Sequence, residues 1–235
     1  MTRFEASACG GLHIELFGAA VTLRGSGALW LEVERTLVVA DLHFEKGSSY
    51  ASRFGQMLPP YDTRETLDRL DREIAALSPA RLIFLGDSFH DGAGEARLAA
   101  DDAERLRGLA RGRDLVWAVG NHDEDGPRVL PGEVIAEASI LGLTLRHEPE
   151  AGEQPGEVAG HLHPAARVSS GRGSVRRRCF VTDGSRLILP AFGAYTGGLN
   201  VLDRAFSGLF GGPVLAGALG KQKVHAIGPR SLRPD

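Results

Sequence analysis

Three short apolar segments, separated by stretches of helical periodicity, most constrain the fold of this chain of 235 residues. The segments are residues 36–40, 81–85 and 115–119, and each is predicted to be a strand; the first is a continuous apolar run, as expected for a strand that is covered on both faces. Between them, Asp62 to Leu77 and Glu95 to Ala110 place apolar residues at helical spacing with charged residues in between. This alternation predicts helices packed against a sheet.

The second half of the chain has a different pattern. Beyond residue 130 the helical periodicity gives way to short strand-like segments, namely residues 133–136, 143–146, 157–160, 177–182 and 186–189. The predicted architecture is therefore α/β, with two layered sheets and helices outside them. The chain has no internal repeat and no linker long enough to separate two domains, so we expect one domain over residues 1–235.

Composition excludes several classes of protein. Apolar residues make up 43% of the chain and charged residues 24%, which is typical of a globular protein and excludes a disordered one. No run approaches about 18 apolar residues, so no membrane span is expected. Two cysteines, Cys9 and Cys179, are too few for a disulfide framework or a cysteine-built zinc site. Because Met1 to Glu5 lack the apolar segment of a secretory signal, we expect a cytoplasmic location.

Charge is distributed unevenly along the chain. Residues 1–157 carry a formal charge of −11, whereas residues 158–235 carry +8, within a net charge of −3. The basic part includes the run Arg176-Arg177-Arg178. A basic face attracts phosphate-bearing polymers, so this pattern favours a nucleic-acid partner. The alternative is a solvated surface that balances the acidic helices elsewhere.

Aspartate, asparagine and histidine residues follow five of the predicted strands. They are Asp41 and His43 after the first, Asp87 and His90 after the second, Asn121, His122 and Asp123 after the third, and then His147, His161 and His163. The carboxyl ends of strands in α/β sheets meet at one crevice, where ligands bind. We therefore expect these side chains to converge on one site.

The spacing and the chemistry of these residues predict a metal site. In an extended chain, residues two apart point the same way, so Asp41 and His43 can face one cation or two adjacent ones, as can His161 and His163. Oxygen and imidazole donors suit Mn²⁺, Fe or Zn²⁺. More candidate ligands are present than one tetrahedral ion needs, and two ions that share a bridging carboxylate would use them all. The candidates are Asp41, His43, Asp87, Asn121, His147, His161 and His163. The alternative is that each histidine is a hydrogen-bonded residue of the core.

The order of these motifs resembles that of the calcineurin-like metallophosphoesterase superfamily. The motifs are Asp41-x-His43, Gly86-Asp87, Gly120-Asn121-His122-Asp123, His147 and Gly160-His161-x-His163, all within residues 41–163. Three longer segments, residues 41–47, 86–90 and 189–198, are similar to the bacterial ligase-associated DNA-damage-response endonuclease family, PdeM.

The resemblance implies a fold, a set of ligands and a mechanism. The fold is a four-layer αββα sandwich of two mixed sheets. Asp41, His43 and His163 hold one divalent metal ion, Asn121, His147 and His161 hold a second, and Asp87 bridges both. Mn²⁺ is the expected metal, with Fe or Zn²⁺ as alternatives. A metal-bridging hydroxide attacks the phosphodiester in line, while His122, oriented by Asp123, protonates or stabilises the leaving oxygen.

The same resemblance implies a DNA endonuclease in repair, acting beside a DNA ligase and a helicase-type protein. Lys46, His90, Thr196 and Gly197 are the candidates for substrate binding. Two other functions stay open: a small-molecule phosphoesterase that acts on cyclic nucleotides or dinucleoside polyphosphates, and an interaction module that no longer turns over. The complete set of ligands favours an active enzyme.

Overall fold

An eight-stranded mixed sheet forms one of two layers of strands. The computed structural model describes residues 4–56, 58–59, 61–170 and 173–235. In pairing order the strands are β1 (Glu5–Ala6), β2 (Leu12–Leu16), β3 (Ala19–Leu23), β4 (Leu29–Leu31), β5 (Thr36–Val39), β6 (Arg81–Leu85), β7 (Asp114–Ala118) and β8 (Glu133–Ile135). Strands β1 to β5 pair antiparallel, whereas β5 to β8 pair parallel. The three apolar segments are thus confirmed as β5, β6 and β7, to within one residue.

In the described part of the chain, the α-helices lie between β5 and β7. They are α1 (Lys46–Phe54), α2 (Asp62–Leu77), α3 (Gly94–Arg97) and α4 (Ala100–Gly108). Helix α2 has the predicted bounds. The single helix predicted from Glu95 to Ala110 is wrong, because Leu98 and Ala99 have extended backbone, with ψ of 133° and 146°. Leu98 packs against the apolar cluster under the helices, so tertiary packing overrides the helical period there.

A ten-stranded mixed sheet forms the other layer of strands. Its strands are β9 (Glu137–Ile140), β10 (Leu143–Arg146), β11 (Glu157–Ala159), β12 (Pro164–Ser170), β13 (Gly173–Thr182), β14 (Leu187–Ile188), β15 (Leu199–Asn200), β16 (Leu215–Leu219), β17 (Val224–Ile227) and β18 (Leu232–Arg233). The path β15-β12-β13-β14-β11-β10-β9 runs across the sheet, β16 pairs with β13 and β17, and β18 pairs with β12. Strands β10, β11 and β14 are parallel, so their carboxyl ends point the same way.

The two sheets share one apolar core. Val38 of β5 belongs to the same buried cluster as Leu145 of β10 and Phe180 of β13. Leu37, the neighbour of Val38, points to the opposite face and packs with Leu70 of α2. Because successive residues of a strand face opposite sides, the continuous apolar character of β5 follows from its two covered faces.

Loops cover the outer face of the second sheet. Val181 and Ile188 pack there against Val201, Phe206 and Leu209, in a segment that contains the short 3₁₀-helix Arg204–Phe206. The fold class is therefore confirmed as an α/β sandwich of two packed mixed sheets with few flanking helices. No helix in the described ranges is long and apolar enough to cross a membrane.

A buried ion pair ties the second sheet to its loops. The Nε atom of Arg186 lies 2.7 Å from Oε2 of Glu157, and the two side chains are 1% and 3% exposed. The guanidinium also donates hydrogen bonds to the carbonyls of Glu150, Gly152 and Leu209. Burial raises the pKa of Glu157, while the charge of Arg186 opposes that rise. Loss of either partner leaves a buried, unpaired charge.

We expect Glu157→Gln to lower the free energy of unfolding by about 3–5 kcal/mol, because the guanidinium of Arg186 then stays buried without a counter-charge. Urea denaturation followed by circular dichroism measures the change. The control is Glu137→Gln, which breaks a pair with Arg146 at a carboxylate that is 52% exposed and costs less than about 1 kcal/mol. Equal losses in the two variants would contradict a special role for the buried pair.

Candidate metal centre

The residues predicted as metal ligands come together at the carboxyl ends of the strands. Their loops follow β5, β6, β7, β10 and β11, which bring two sheets to one crevice. The contact between the sheets is direct: the backbone N–H of His161 donates to both carboxylate oxygens of Asp41, at 3.1 and 3.0 Å. Likewise, Nε2 of His147 lies 3.4 Å from Oδ1 of Asp87. The convergence expected from strand ends is therefore present.

One cluster consists of Asp41, His43 and His163. Their donor atoms lie within 4.8 Å of one another. Nε2 of His163 is 3.2 Å from Oδ1 of Asp41 and 3.3 Å from Nε2 of His43. These are the residues that the sequence assigns to one metal ion.

A second cluster consists of Asp87, His147 and His161. Nδ1 of His161 is 3.2 Å from Nε2 of His147, and the side-chain oxygen of Asn121 is 3.0 Å from the same nitrogen. Asp87 lies between the clusters. Its Oδ1 faces His147, while its Oδ2 is 3.8 Å from Nε2 of His43 in the other cluster. A carboxylate in this position has one oxygen available for each side.

The donor set fits divalent metal ions. Asp41 and Asp87 are 0% and 2% exposed, and among the described residues no lysine or arginine lies within ion-pair distance of either carboxylate. Burial, followed by the neighbouring His163, lowers the pKa of His43 to about 2, so this imidazole is neutral and its lone pair is free. Two imidazoles bound to one tetrahedral ion at ~2.0–2.1 Å would have nitrogens roughly 3.3 Å apart. The facing nitrogens of His43 and His163 already have that separation.

The backbone of the ligand loops is strained. Asp41, His43, Asp87, His161 and His163 all have left-handed φ angles, between 46° and 66°. The loops hold one another in this conformation, because the N–H of His43 donates to the carbonyl of Asp87 at 2.9 Å. Non-glycine residues in this region cost about 1–3 kcal/mol each and persist where the surroundings determine them. Strain of this kind is concentrated at functional sites.

Gly120 allows the third loop to approach Asp87. A Cβ atom at this position would lie 2.2 Å from the backbone nitrogen of Asp87 and 2.3 Å from its Oδ1. No side chain fits in that space. The glycine of the Gly120-Asn121-His122-Asp123 motif thus lets the loop after β7 reach the carboxylate of Asp87, and the N–H of His122 donates to Oδ1 of Asp87 at 2.9 Å.

His90 and His122 border the first cluster. Nδ1 of His90 is 3.4 Å from Nδ1 of His43, and the rings of His90 and His122 stack with centroids 5.2 Å apart. Burial, followed by the charges of Lys46 and His122, lowers the pKa of His90 to about 4, so it is neutral at pH 7. The side chain of His122 is 39% exposed, and its Nε2 lies 3.9 Å from Oδ2 of Asp87. His122 is therefore at the open rim of the site.

The orienting role predicted for Asp123 is wrong. Its Oδ2 accepts the N–H groups of Ser88 and Phe89, and its Oδ1 accepts that of Gly120. The ring of His122 is oriented instead by the carbonyl of His90, 2.9 Å from Nδ1. Burial raises the pKa of Asp123 to about 6, against the effect of these N–H bonds. Asp123 thus ties the loop after β7 to the loop that contains Asp87. Adjacency in sequence therefore did not identify the hydrogen-bond partner of the His122 ring.

The candidates for substrate binding differ in their position relative to the metal clusters. Lys46 begins α1, is half-buried, and lies close enough to lower the pKa of both His43 and His90. Thr196 donates its hydroxyl to the carbonyl of Gly193 at 2.9 Å, and Gly197 has open space around it. Neither Thr196 nor Gly197 belongs to the donor clusters formed by the described residues. Their role as substrate contacts stays a prediction.

Sequence reasoning missed the contacts by which the segment 189–198 supports the site. A Cβ atom at Gly193 would lie 1.9 Å from the carbonyl oxygen of Leu42, and one at Gly198 would lie 2.3 Å from that of His163. The segment therefore packs directly against the two loops that contain Leu42 and His163. The density of glycine in residues 189–198 was the available signal.

Comparison with known proteins agrees with this geometry. The family model described as calcineurin-like phosphoesterase matches residues 34–185. The crystal structure of the nuclease MPE of Pseudomonas putida is similar to this chain, with 32% identity, a TM-score of 0.71, and coverage of 92% of this chain and 100% of that one. The E. coli phosphoesterase YfcE matches at 17% identity and a TM-score of 0.40, over 82% of this chain and 98% of that one. No curated protein sequence matches.

The family match spans all the strand-end motifs, and the likeness to the P. putida nuclease is consistent with the PdeM family. Members of the matched family bind divalent metals, for which the two clusters provide donors. The chain therefore belongs to the calcineurin-like phosphoesterase family and is a metal-dependent phosphoesterase.

Proposed function

We propose that this chain is a phosphodiesterase that uses two divalent metal ions, and that its substrate is DNA. The observation that carries the proposal is the position of Asp87, with one carboxylate oxygen toward each of two three-residue donor clusters. Two-metal sites of this kind act on phosphate esters because they polarise the phosphate oxygens and lower the pKa of bound water.

The proposed ligands divide between the two clusters. Asp41, His43 and His163 would hold one ion, and His147, His161 and Asn121 the other, with Asp87 shared between them. Oxygen and neutral imidazole donors without thiolate favour Mn²⁺, with Fe or Zn²⁺ as alternatives. The two buried carboxylates, Asp41 and Asp87, would offset part of the positive charge of two divalent ions.

His122 is the proposed proton donor to the leaving oxygen. A backbone carbonyl only accepts hydrogen bonds, so the Nδ1 atom of His122, 2.9 Å from the carbonyl of His90, must carry a proton. Donation of a proton from Nε2, on the side of Asp87, therefore uses the imidazolium form, in which both nitrogens carry a proton, and leaves the neutral ring with its proton on Nδ1. Its exposure at the rim provides access, and general acid catalysis by a positioned histidine contributes about 10²–10⁴-fold in rate.

Two observations support nucleic acid as the substrate. The similar structure from P. putida is that of a nuclease, and it matches nearly the whole of this chain. The part of the chain from residue 158 onward has a formal charge of +8, which favours the approach of a phosphate polymer. A role in DNA repair, in the cytoplasm and beside a DNA ligase and a helicase-type protein, is proposed from the resemblance to the PdeM family.

We expect the Mn²⁺-loaded protein to hydrolyse bis-p-nitrophenyl phosphate faster than the corresponding monoester and to cleave a labelled single-stranded DNA oligonucleotide. The reason is that the metal centre defines the reaction, while the basic region recruits the polymer. Gel electrophoresis of the oligonucleotide and release of nitrophenol measure the two activities. Hydrolysis of the small diester without cleavage of DNA would contradict the nuclease proposal and favour a small-molecule phosphoesterase.

Asp87→Asn is expected to reduce bound metal from about two ions per chain to less than one, because both clusters lose the charge of the shared carboxylate. Inductively coupled plasma mass spectrometry after equilibration with Mn²⁺ gives the metal content. Asp114→Asn, at a carboxylate whose side chain is 73% exposed, provides the matched control and should retain both ions. Loss of a single ion in Asp87→Asn would mean that the carboxylate serves one metal only.

His122→Ala should keep the wild-type metal content and reduce kcat by about 10²–10⁴-fold, since His122 touches the substrate but is not a proposed ligand. Steady-state hydrolysis of bis-p-nitrophenyl phosphate and metal analysis on the same sample check both points. His225→Ala, at an exposed histidine of β17, should match the wild type. A fall in metal content equal to that of Asp87→Asn would show His122 to be a ligand.

A further inference from the structure

A polar cavity lies apart from the metal clusters. It has a volume of about 400 Å³ and lies between α2, the turn between β3 and β4, and the turn between β16 and β17. Five cationic side chains line it, together with one carboxylate, that of Glu73. The cations are Arg24, Arg69, Arg72, Arg178 and Lys221.

Most of this positive charge has no carboxylate opposite it. Arg24 pairs with Glu73, with Nε 2.8 Å from Oε2, and Arg69 pairs with an exposed glutamate of its own helix at 3.3 Å. Arg72 bonds only to a backbone carbonyl of its helix, and Arg178 only to backbone carbonyls of the neighbouring segment. Within the described ranges, Arg72, Arg178 and Lys221 therefore have no ion-pair partner.

Burial and neighbouring positive charges lower the pKa of two of these arginines, against the opposing charge of Glu65. Burial, followed by the charge of Arg69, lowers the pKa of Arg178 to about 10. Burial also lowers the pKa of Arg69, and the charge of Arg72 adds to this effect. An anion in the cavity would relieve this repulsion, because it supplies the missing counter-charge.

We propose that this cavity binds a backbone phosphate of the polynucleotide on which the metal centre acts, an inference that rests on the proposed function. The guanidinium group of Arg72, of which only Nε is engaged within the described part of the chain, and the ammonium group of Lys221 provide N–H donors for the oxygens of a phosphate group. Arg72 and Lys221 are exposed at the cavity edge, where a chain can enter and leave. A backbone phosphodiester has two non-bridging oxygens, and the nucleic-acid chain leaves it in two directions. An open basic cavity can bind the oxygens and leave room for the chain.

One extended segment separates the cavity from the ligand loop. Arg69 and Arg178 donate to the carbonyls of Phe192 and Gly193 on the cavity side. On the other side, Phe192 donates its N–H to the carbonyl of Ala40, and Gly193 donates to that of Asp41. The same arginines therefore line the phosphate site and hold the segment against the metal ligand Asp41. A strand of nucleic acid bound in the cavity is adjacent to the centre that cleaves it.

The test uses the double variant Arg72→Gln/Lys221→Gln, which removes two exposed cations that hold no part of the metal centre. We expect KM for a single-stranded oligonucleotide to rise about tenfold, with kcat unchanged and kcat/KM for bis-p-nitrophenyl phosphate unchanged. The slope of log(kcat/KM) against log salt should fall in magnitude by about 0.7, because the cavity holds one phosphate and each lost phosphate contact on a single strand contributes ~0.7. The control, Arg204→Gln/Lys223→Gln, changes the same charge at exposed residues that do not line the cavity. Equal changes in KM in the two double variants would overturn the proposal.

A second measurement does not depend on cleavage. Cys9 lines the cavity and is exposed, with its Sγ 2.7 Å from Nη1 of Arg24, whereas Cys179 is buried. Alkylation by neutral iodoacetamide therefore reports on the cavity. We expect the oligonucleotide to slow alkylation of Cys9 at least threefold in the wild type and not in Arg72→Gln/Lys221→Gln.

The outcomes separate the two proposals. Protection of Cys9 by the oligonucleotide supports the phosphate site even in a preparation that fails to cleave DNA. Protection by inorganic phosphate at the same phosphate concentration, with none by the oligonucleotide, would mean that the cavity takes free phosphate, and it would overturn the assignment to a polynucleotide. Absence of protection by either ligand would also overturn it.

Discussion

The burial of two carboxylates without a basic partner is the constraint on which the rest of the site depends. Asp41 and Asp87 are almost completely removed from solvent, and an isolated buried carboxylate is strongly unfavourable. The protein compensates in part with backbone N–H groups, from His161 to Asp41 and from His122 to Asp87. The oxygens that remain face the imidazoles of His147 and His163. Divalent cations between the carboxylates and the imidazoles would supply the missing counter-charge, and the two-sheet fold assembles the donors that could hold them.

The sequence predicted the parts of the fold in which local pattern and tertiary packing agree. Strands β5, β6 and β10 and helix α2 follow from apolar runs or helical spacing, because each has covered faces that require such residues. The sequence was uninformative for β12 and β16, which are rich in alanine, glycine and serine and contain few of the usual strand formers. Both strands pair with β13: β12 forms a hairpin with it, whereas β16 reaches it from more than 30 residues away in sequence.

The same division applies to the site. The ligand residues were predictable because they follow strands that end at one edge, and the structure brings all of them together. The partner of Asp123 was not predictable, because its hydrogen bonds go to Ser88 and Phe89, about 35 residues earlier in the chain. The run Arg176-Arg177-Arg178 shows a related limit. On a strand its members alternate in direction, so that Arg178 is directed to carbonyls of the 191–193 segment while Arg177 is exposed. A count of charges therefore overstates the surface that a polymer contacts.

The left-handed backbone of the ligand loops has a consequence for laboratory evolution. If Asp41, His43, Asp87, His161 and His163 each cost about 1 kcal/mol or more, their sum approaches the net stability of an ordinary domain, ~5–15 kcal/mol. Glycine at these positions would relieve the cost. Selection for heat resistance alone would then remove the ligands one after another, and the most robust descendants of this protein would be inert.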